Sequence, residues 1–488
     1  MPFSSQTGLQ RLSIFLAAVV FCIVSSAALA AGPVTTWTRI ALGDGASSFS
    51  PHTATLMHLS MHDALNAIDP RFARWADASR DRSDDGGDAV LGAKADGADR
   101  ARADRRRDDG RGANAGGTTE GGANASGANA GGGDARATAS PEAALAAAAH
   151  AVLVAREPQR RASFDAALAD ALAAVPPGGP RDAGVAAGRA AAGGVLAKYE
   201  AAGVRPGEFA ASDEPGRWRP TPPASVDVAP FVPFEAFAGD AVQSIAVPPP
   251  PPPGSAEYRF GVAKVRLLGA RNAVERSADE TAAALFWARQ SPIRNFLALA
   301  LRTLEARGEG TDPWAGARAM ALVSMALSDA FTVAARAKAR FRYWRPITAI
   351  REGGFGIDAD PYWVPLVPTP QHPEYPSAHA AECAAGATIA ALLFGSPGGP
   401  VRFVATDVDG RPSRRFDDYA DIAAECATSR EWAGAHFGAS NAAGLALGET
   451  VARRVADTQL APARRRASAA ASAAAPDPER DRASQPQD

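Results

Sequence analysis

Cysteine, aromatic residues and net charge are all scarce in this sequence. Three cysteines in 488 residues, none of them in a Cys-x-x-Cys pair, exclude a disulfide-rich scaffold and a cysteine-based zinc or redox motif. Lys plus Arg number 51 against 53 Asp plus Glu, a formal net charge of -2. Such balance leaves no global field to draw the chain to nucleic acid or to an anionic membrane. Aromatics make up 7% and strand signals are nearly absent, while alanine dominates the apolar class, which favours close-packed helices. Past the first thirty residues, no segment approaches membrane-spanning length without charge. What remains is ample for a core: 46% of the residues are hydrophobic.

The organisation follows shifts in composition. Arg11 precedes an apolar run over 12–24, and Ala28-Leu29-Ala30 fits small-residue cleavage, so 1–30 reads as a signal peptide. The run is too short to serve as a stable membrane anchor, and the mature product is expected to be periplasmic or secreted. Residues 31–76 form the N-terminal helical part of the core, with one helix over 54–67. Residues 77–140 alternate Asp, Arg, Gly, Ala and Asn with almost no large apolar side chain, the composition of a disordered insertion. Residues 141–204 resume a helical pattern, as two helices split at the Pro-Gly cluster 176–180. Residues 205–256 are a proline-rich extended strap ending in the run 248–253. The span 257–460 is helical with short breaks, and 461–488 is a disordered tail. The fold expected is all-α.

Three constellations stand out in the last third of the chain. Lys338 and Arg345 lie seven residues apart, so on one continuous helix they share a face within about 20°, and Pro346 would end that helix. Two long cations there can converge on an oxyanion, although an ordinary solvated basic face explains the same residues. In Tyr375-Pro376-Ser377-Ala378-His379, Ser377 is a natural helix cap. The amides of Ala378 and His379 then open a helix beside a titratable imidazole, which is an anion site or merely a cap. Arg430 and His436 are six apart, about 120° around a regular helix, so they would approach a ligand from two sides, with Gly434 distorting the turn.

Together, Lys-x6-Arg-Pro, Pro-Ser-x-His and Ser-Arg-x5-His resemble the superfamily of type 2 phosphatidic acid phosphatases and vanadium-dependent haloperoxidases. Met61-His62-Asp63-Ala64-Leu65-Asn66, Trp218-Arg219-Pro220-Thr221 and the stretch after His436 are similar to its exported bacterial haloperoxidase-like branch. The resemblance implies a helical bundle of the vanadium haloperoxidase and acid phosphatase type. It also implies a tetrahedral oxyanion, vanadate with phosphate able to take its place, among Lys338, Arg345, Arg430, Ser377 and the Ala378 amide. His436 would bond the central atom, the vanadium of vanadate, and His379 would be the acid–base group. In the haloperoxidase reading His379 takes a proton from hydrogen peroxide, and a halide is oxidised for delivery to a small organic acceptor. The alternatives are an acid phosphatase, with His436 as nucleophile on a phosphate ester, and a catalytically silent oxyanion-binding relative.

The chain departs from the commoner pattern in places. Ala378 stands for glycine. Ser440, four residues after His436, stands for aspartate, which predicts a weaker acceptor for the His436 ring. Arg289 lies near where an acidic partner for the site arginine is expected. His372, five before Ser377, occupies a position that is Phe or His in haloperoxidases and favours that chemistry. His58 and His62 are spaced i and i+4, as zinc ligands can be, but lack the Glu after His58 and any evident third ligand. Cys383 and Cys426 fall on the helices flanking the anion, as a disulfide or as two buried thiols. The bundle helices are expected around 278–287, 296–306, 315–345, 378–394, 417–432 and 441–457.

Overall fold

Serine or aspartate followed by proline recurs at the helix starts. Ser50-Pro51, Ser140-Pro141, Ser291-Pro292 and Asp312-Pro313 each give a capping oxygen to the first turn, with proline at a position whose N–H has no helical acceptor. These punctuated segments build a helical protein. The computed structural model describes residues 32–43, 50–78, 139–203, 209–221, 235–307, 312–403 and 414–463. The expected leader, almost all of the insertion and most of the tail lie outside the described residues.

Among the described residues the first half contributes α1 (Pro33–Leu42), α2 (Pro51–Ile68), α3 (Pro141–Arg156), α4 (Arg161–Ala173), α5 (Gly179–Ala201) and the short α6 (Asp240–Gln243). The second contributes α7 (Ala256–Leu268), α8 (Ala278–Arg289), α9 (Pro292–Ala306), α10 (Pro313–Phe341) and α11 (Pro346–Glu352). Then come α12 (Ala378–Phe394), α13 (Tyr419–Trp432) and α14 (Gly438–Thr458). The only sheet among the described residues is an antiparallel hairpin of β1 (Val401–Phe403) and β2 (Arg414–Phe416), with Val401 opposite Phe416. The all-α expectation therefore stands, and the bundle helices fall where the sequence put them, except that the one expected over 315–345 ends at Phe341. Two further details differ. Residues 141–204 hold three helices rather than two, because Pro158 opens a short 3-10 turn that separates α3 from α4. The strap also contains α6, one turn of helix after Gly239.

One hydrophobic core runs through both halves. In it α2 packs on α3, α5 and α10, while α12 packs on α14, α10, α13 and α9. α10 is long and apolar enough to cross a membrane by length and composition, but it forms the shared axis of the fold, with 89% of its most apolar window buried. The proline run lies over the loops that follow α10 and precede α12: the hydroxyls of Tyr343 and Tyr375 donate to the carbonyls of Pro251 and Pro248, 2.8 Å each. A disulfide joins Cys383 of α12 to Cys426 of α13, with Cα atoms 6.5 Å apart.

Candidate active site

The end of α10 corrects one expectation. The helix stops at Phe341, Arg342 takes a left-handed conformation (φ 47°), and Arg345 caps a new helix whose first residue is Pro346. Pro346 thus starts a helix instead of ending one, because its fixed φ and missing N–H suit the first helical position. Lys338 and Arg345 do not share a helix face. They still converge, since both are buried and grip the loop before α12. Lys338 Nζ donates to the carbonyls of Pro373 and Glu374, 2.8 Å each. Arg345 Nε donates to the carbonyl of His372 at 2.9 Å, and its Nη1 to that of Ala435 at 2.8 Å.

Ser377 caps α12 as expected, its Oγ accepting from the Ala380 amide, and it is fully buried. Ala378 and His379 open the helix, where amides have no acceptor within the helix. Arg430 ends α13 in a buried position. Beyond it Gly434 turns the chain in the left-handed region (φ 74°), and a Cβ there would stand 2.6 Å from the carbonyl oxygen of Gly269. Only glycine fits that turn. It brings the amides of Ala435 and His436 back onto the carbonyl of Arg430, which fixes His436 beside Arg345.

Two buried carboxylates complete the cluster, and neither was read from the sequence. Glu374, wholly buried, accepts from His436 Nδ1 and from the Phe437 amide, 2.9 Å each, and from the Ser440 hydroxyl. The weak-acceptor expectation for Ser440 is therefore replaced: the acceptor for the ring is Glu374, and Ser440 orients that carboxylate. These contacts also set the tautomer. Arg345 Nη1 lies 3.1 Å from His436 Nε2 and can only donate, so Nε2 carries the lone pair and Nδ1 the proton. Glu382, one turn into α12, is the acidic neighbour of Arg430, whereas the segment at Arg289 supplies none. His372 joins the cluster too, its Nδ1 3.1 Å from Arg345 Nη2.

The electrostatics are those of cations buried without enough countercharge. Burial pulls Arg345 down to about 9 and Arg430 to about 10, and holds Lys338 well below its usual range. Burial pushes Glu382 up to about 8 despite Arg430 and Lys338, and raises Glu374 against Ser440, Arg345 and Lys338. Burial, then the neighbouring cations, keep His379 and His436 well below 6.5, so both rings are neutral. The Nε and Nη1 of Arg430 are buried with no hydrogen-bond partner among the described residues. Donors so placed cost stability unless an acceptor meets them. A tetrahedral oxyanion fits this donor set, which comprises those two atoms, the remaining N–H groups of Lys338 and Arg345, and the Ser377 hydroxyl.

His58 and His62 are not part of it. Both are buried in α2, with His58 Nε2 3.0 Å from the Thr38 hydroxyl and His62 Nδ1 3.0 Å from Asp63. Among the described residues no three ligand-type side chains are grouped to hold a metal ion.

A family model described as the VCPO second helical-bundle domain matches residues 318–464, the part that carries this cluster. The vanadium chloroperoxidase of Curvularia inaequalis is 29% identical over 174 residues, 30% of this chain and 28% of that protein; the match spans less than a third of the relative's length. Among solved structures, a bacterial vanadium-dependent iodoperoxidase superposes with a TM-score of 0.61 at 20% identity, covering 89% of this chain and 96% of the other. An apo-type bacterial vanadium-dependent chloroperoxidase gives 0.52 at 16% identity, covering 84% and 92%. At these identities the structural likeness concerns the fold.

Proposed function

The chain belongs to the superfamily of vanadium-dependent haloperoxidases and type 2 phosphatidic acid phosphatases, and from that premise we propose that it is a vanadate-dependent haloperoxidase-like enzyme. The observation that carries the reading is the state of His436: Glu374 holds Nδ1–H, so Nε2 carries the lone pair. That lone pair accepts from Arg345 Nη1 and would bond the central atom of an oxyanion once that guanidinium turns to the oxyanion's oxygens. Lys338, Arg345 and Arg430, with Ser377 and the Ala378 amide, would hold its oxygens. Bound vanadate would supply the centre at which hydrogen peroxide is activated and a halide oxidised. His379, neutral and at the helix mouth, would accept the peroxide proton. His372 braces Arg345 from the entry loop. Export belongs to the same proposal and is supported by the Cys383–Cys426 disulfide, which suits an oxidising compartment.

The test is a paired assay on the purified, metal-free full-length chain. Peroxide-dependent bromination should appear only after orthovanadate is added, and phosphate should inhibit it. His436→Ala should abolish turnover, whereas His379→Ala should slow it and leave vanadate binding measurable. Phosphate-ester hydrolysis without added metal, inhibited by vanadate, with no bromination, would assign the phosphatase reaction instead.

A further inference from the structure

We propose that Tyr362 is the side chain on which this protein takes up halogen from hypohalous acid, including the acid of its own turnover. The second part rests on the haloperoxidase reading above. The first rests on exposure and aromatic chemistry alone.

All six tyrosines of the chain lie among the described residues. Tyr362, in the loop between α11 and α12, is 90% exposed, whereas Tyr199, Tyr258, Tyr343, Tyr375 and Tyr419 are each 5% exposed or less. An electrophilic halogen attacks a ring carbon ortho to the hydroxyl, so that carbon must be open to the reagent. The buried rings are also poorer nucleophiles, because phenolate is the more reactive form and burial disfavours it. Burial pushes Tyr199 and Tyr375 up to about 12 and raises Tyr258 and Tyr343 as well.

The competing targets are withdrawn from solvent. Met57, Met61, Met320 and Met325 are fully buried, which withholds the thioethers that oxidise readily. Cys383 and Cys426 are bonded to each other. Seven of the eight tryptophans are buried, and Trp432 is half-buried against Ala433 and its neighbours. Tyr362 is also close in the chain to the candidate site. The next residue, Trp363, packs on the turn that carries His436, its Cη2 3.0 Å from where a Cβ on Gly434 would stand.

For bromine, the ortho carbon gives an electron pair to the bromine of hypobromous acid, and the Br–O bond breaks as hydroxide leaves. The same carbon then loses its proton, which joins the hydroxide as water. A C–H bond is exchanged for C–Br: the carbon is oxidised by one electron pair and the bromine reduced by it.

Two treatments of the full-length protein test this, each quenched with thiosulfate to return N-bromo groups to amines and read by peptide mass spectrometry. Equimolar reagent hypobromous acid, without vanadate, should place bromine on Tyr362 and leave the other five tyrosines unmodified. Vanadate-loaded protein supplied with bromide and hydrogen peroxide should do the same, and omission of vanadate should abolish it. Tyr362→Phe should lose bromotyrosine in both treatments while brominating an added acceptor at the wild-type rate. With the reagent, bromine on another tyrosine, or Trp432 modified ahead of Tyr362, would overturn the assignment. During turnover, acceptor bromination without bromotyrosine at 362 would overturn self-halogenation. Neither product would mark failure of the haloperoxidase reading and remove self-halogenation with it, while the reagent treatment still decides the site.

Discussion

The helix pairs α3–α5 and α12–α14 are built on one plan and differ in charge. In each, a capping serine opens the inner helix and two glycines of the outer helix lie against its backbone. A Cβ at Gly184 would stand 2.4 Å from the carbonyl oxygen of Ser140, and at Gly444 2.4 Å from that of Ser377. One turn on, the distances are 2.2 Å from Gly188 to Ala144 and 2.0 Å from Gly448 to Ala381. Even the serine amides match: Ser140 donates to Pro180 at 2.8 Å and Ser377 to Ser440 at 3.0 Å. Where the second pair has His379, however, the first has Glu142, whose carboxylate accepts from the Ser140 hydroxyl. The helix mouth of the first pair is thereby satisfied by its own acid. That of the second faces three buried cations and unpartnered donors. Backbone geometry makes the cradle twice; the side-chain charges make it a site once.

That comparison can be broken from several directions. Only the second half carries a disulfide among the described residues, closing a sequence separation of 43. Replacing both Cys383 and Cys426 by alanine should cost about 4 kcal/mol, measured by urea unfolding, and reductant should then have no further effect. The glycines should behave alike in the two halves. Gly448→Ala and Gly188→Ala each force a Cβ into a carbonyl oxygen and should each cost about 3 kcal/mol, read as lowered melting temperatures. Equal tolerance of both would show that the close approach is not needed.

The charges should behave differently. Vanadate at about a hundred times its dissociation constant should stabilise the wild type by about 2.7 kcal/mol. Arg430→Met should remove that protection, whereas Glu142→Ala should leave it intact. Smallest per unit of change are the pH slopes, at most about 1.4 kcal/mol per pH unit for one group. His58 in the first half is held at about 3 by burial, below its ordinary 6.5, so stability is lost as pH falls from 6.5 toward 3. Glu382 in the second is raised from 4.5 to about 8, so stability is lost as pH rises through that window. His58→Gln should flatten the acid limb and Glu382→Gln the alkaline limb, followed by melting temperature against pH.

The bundle was legible because alanine-rich periodicity and Ser-Pro or Asp-Pro starts mark helices locally. The three constellations also announced which side chains would gather. The break at Phe341 was not legible: Arg342 in a left-handed conformation follows from tertiary packing, and an unbroken helix from 315 to 345 is the better local reading. Glu374 and Glu382 were missed for a related reason. Each stands within five residues of Ser377 in a segment already singled out, but a carboxylate declares a role only once its partner is known. Glu374 finds His436, 62 residues away, through a loop conformation that spacing does not encode. The exchange of roles between Ser440 and Glu374 is the signal that was available. An aspartate missing after the ligand histidine asks where else an acid could come from.

Titration calorimetry of orthovanadate into the full-length protein tests the central claim most directly. One saturable site per chain is expected, competed by phosphate, lost in Arg430→Met and unchanged in Glu142→Ala. Absence of saturable binding, or binding that survives Arg430→Met, would contradict it.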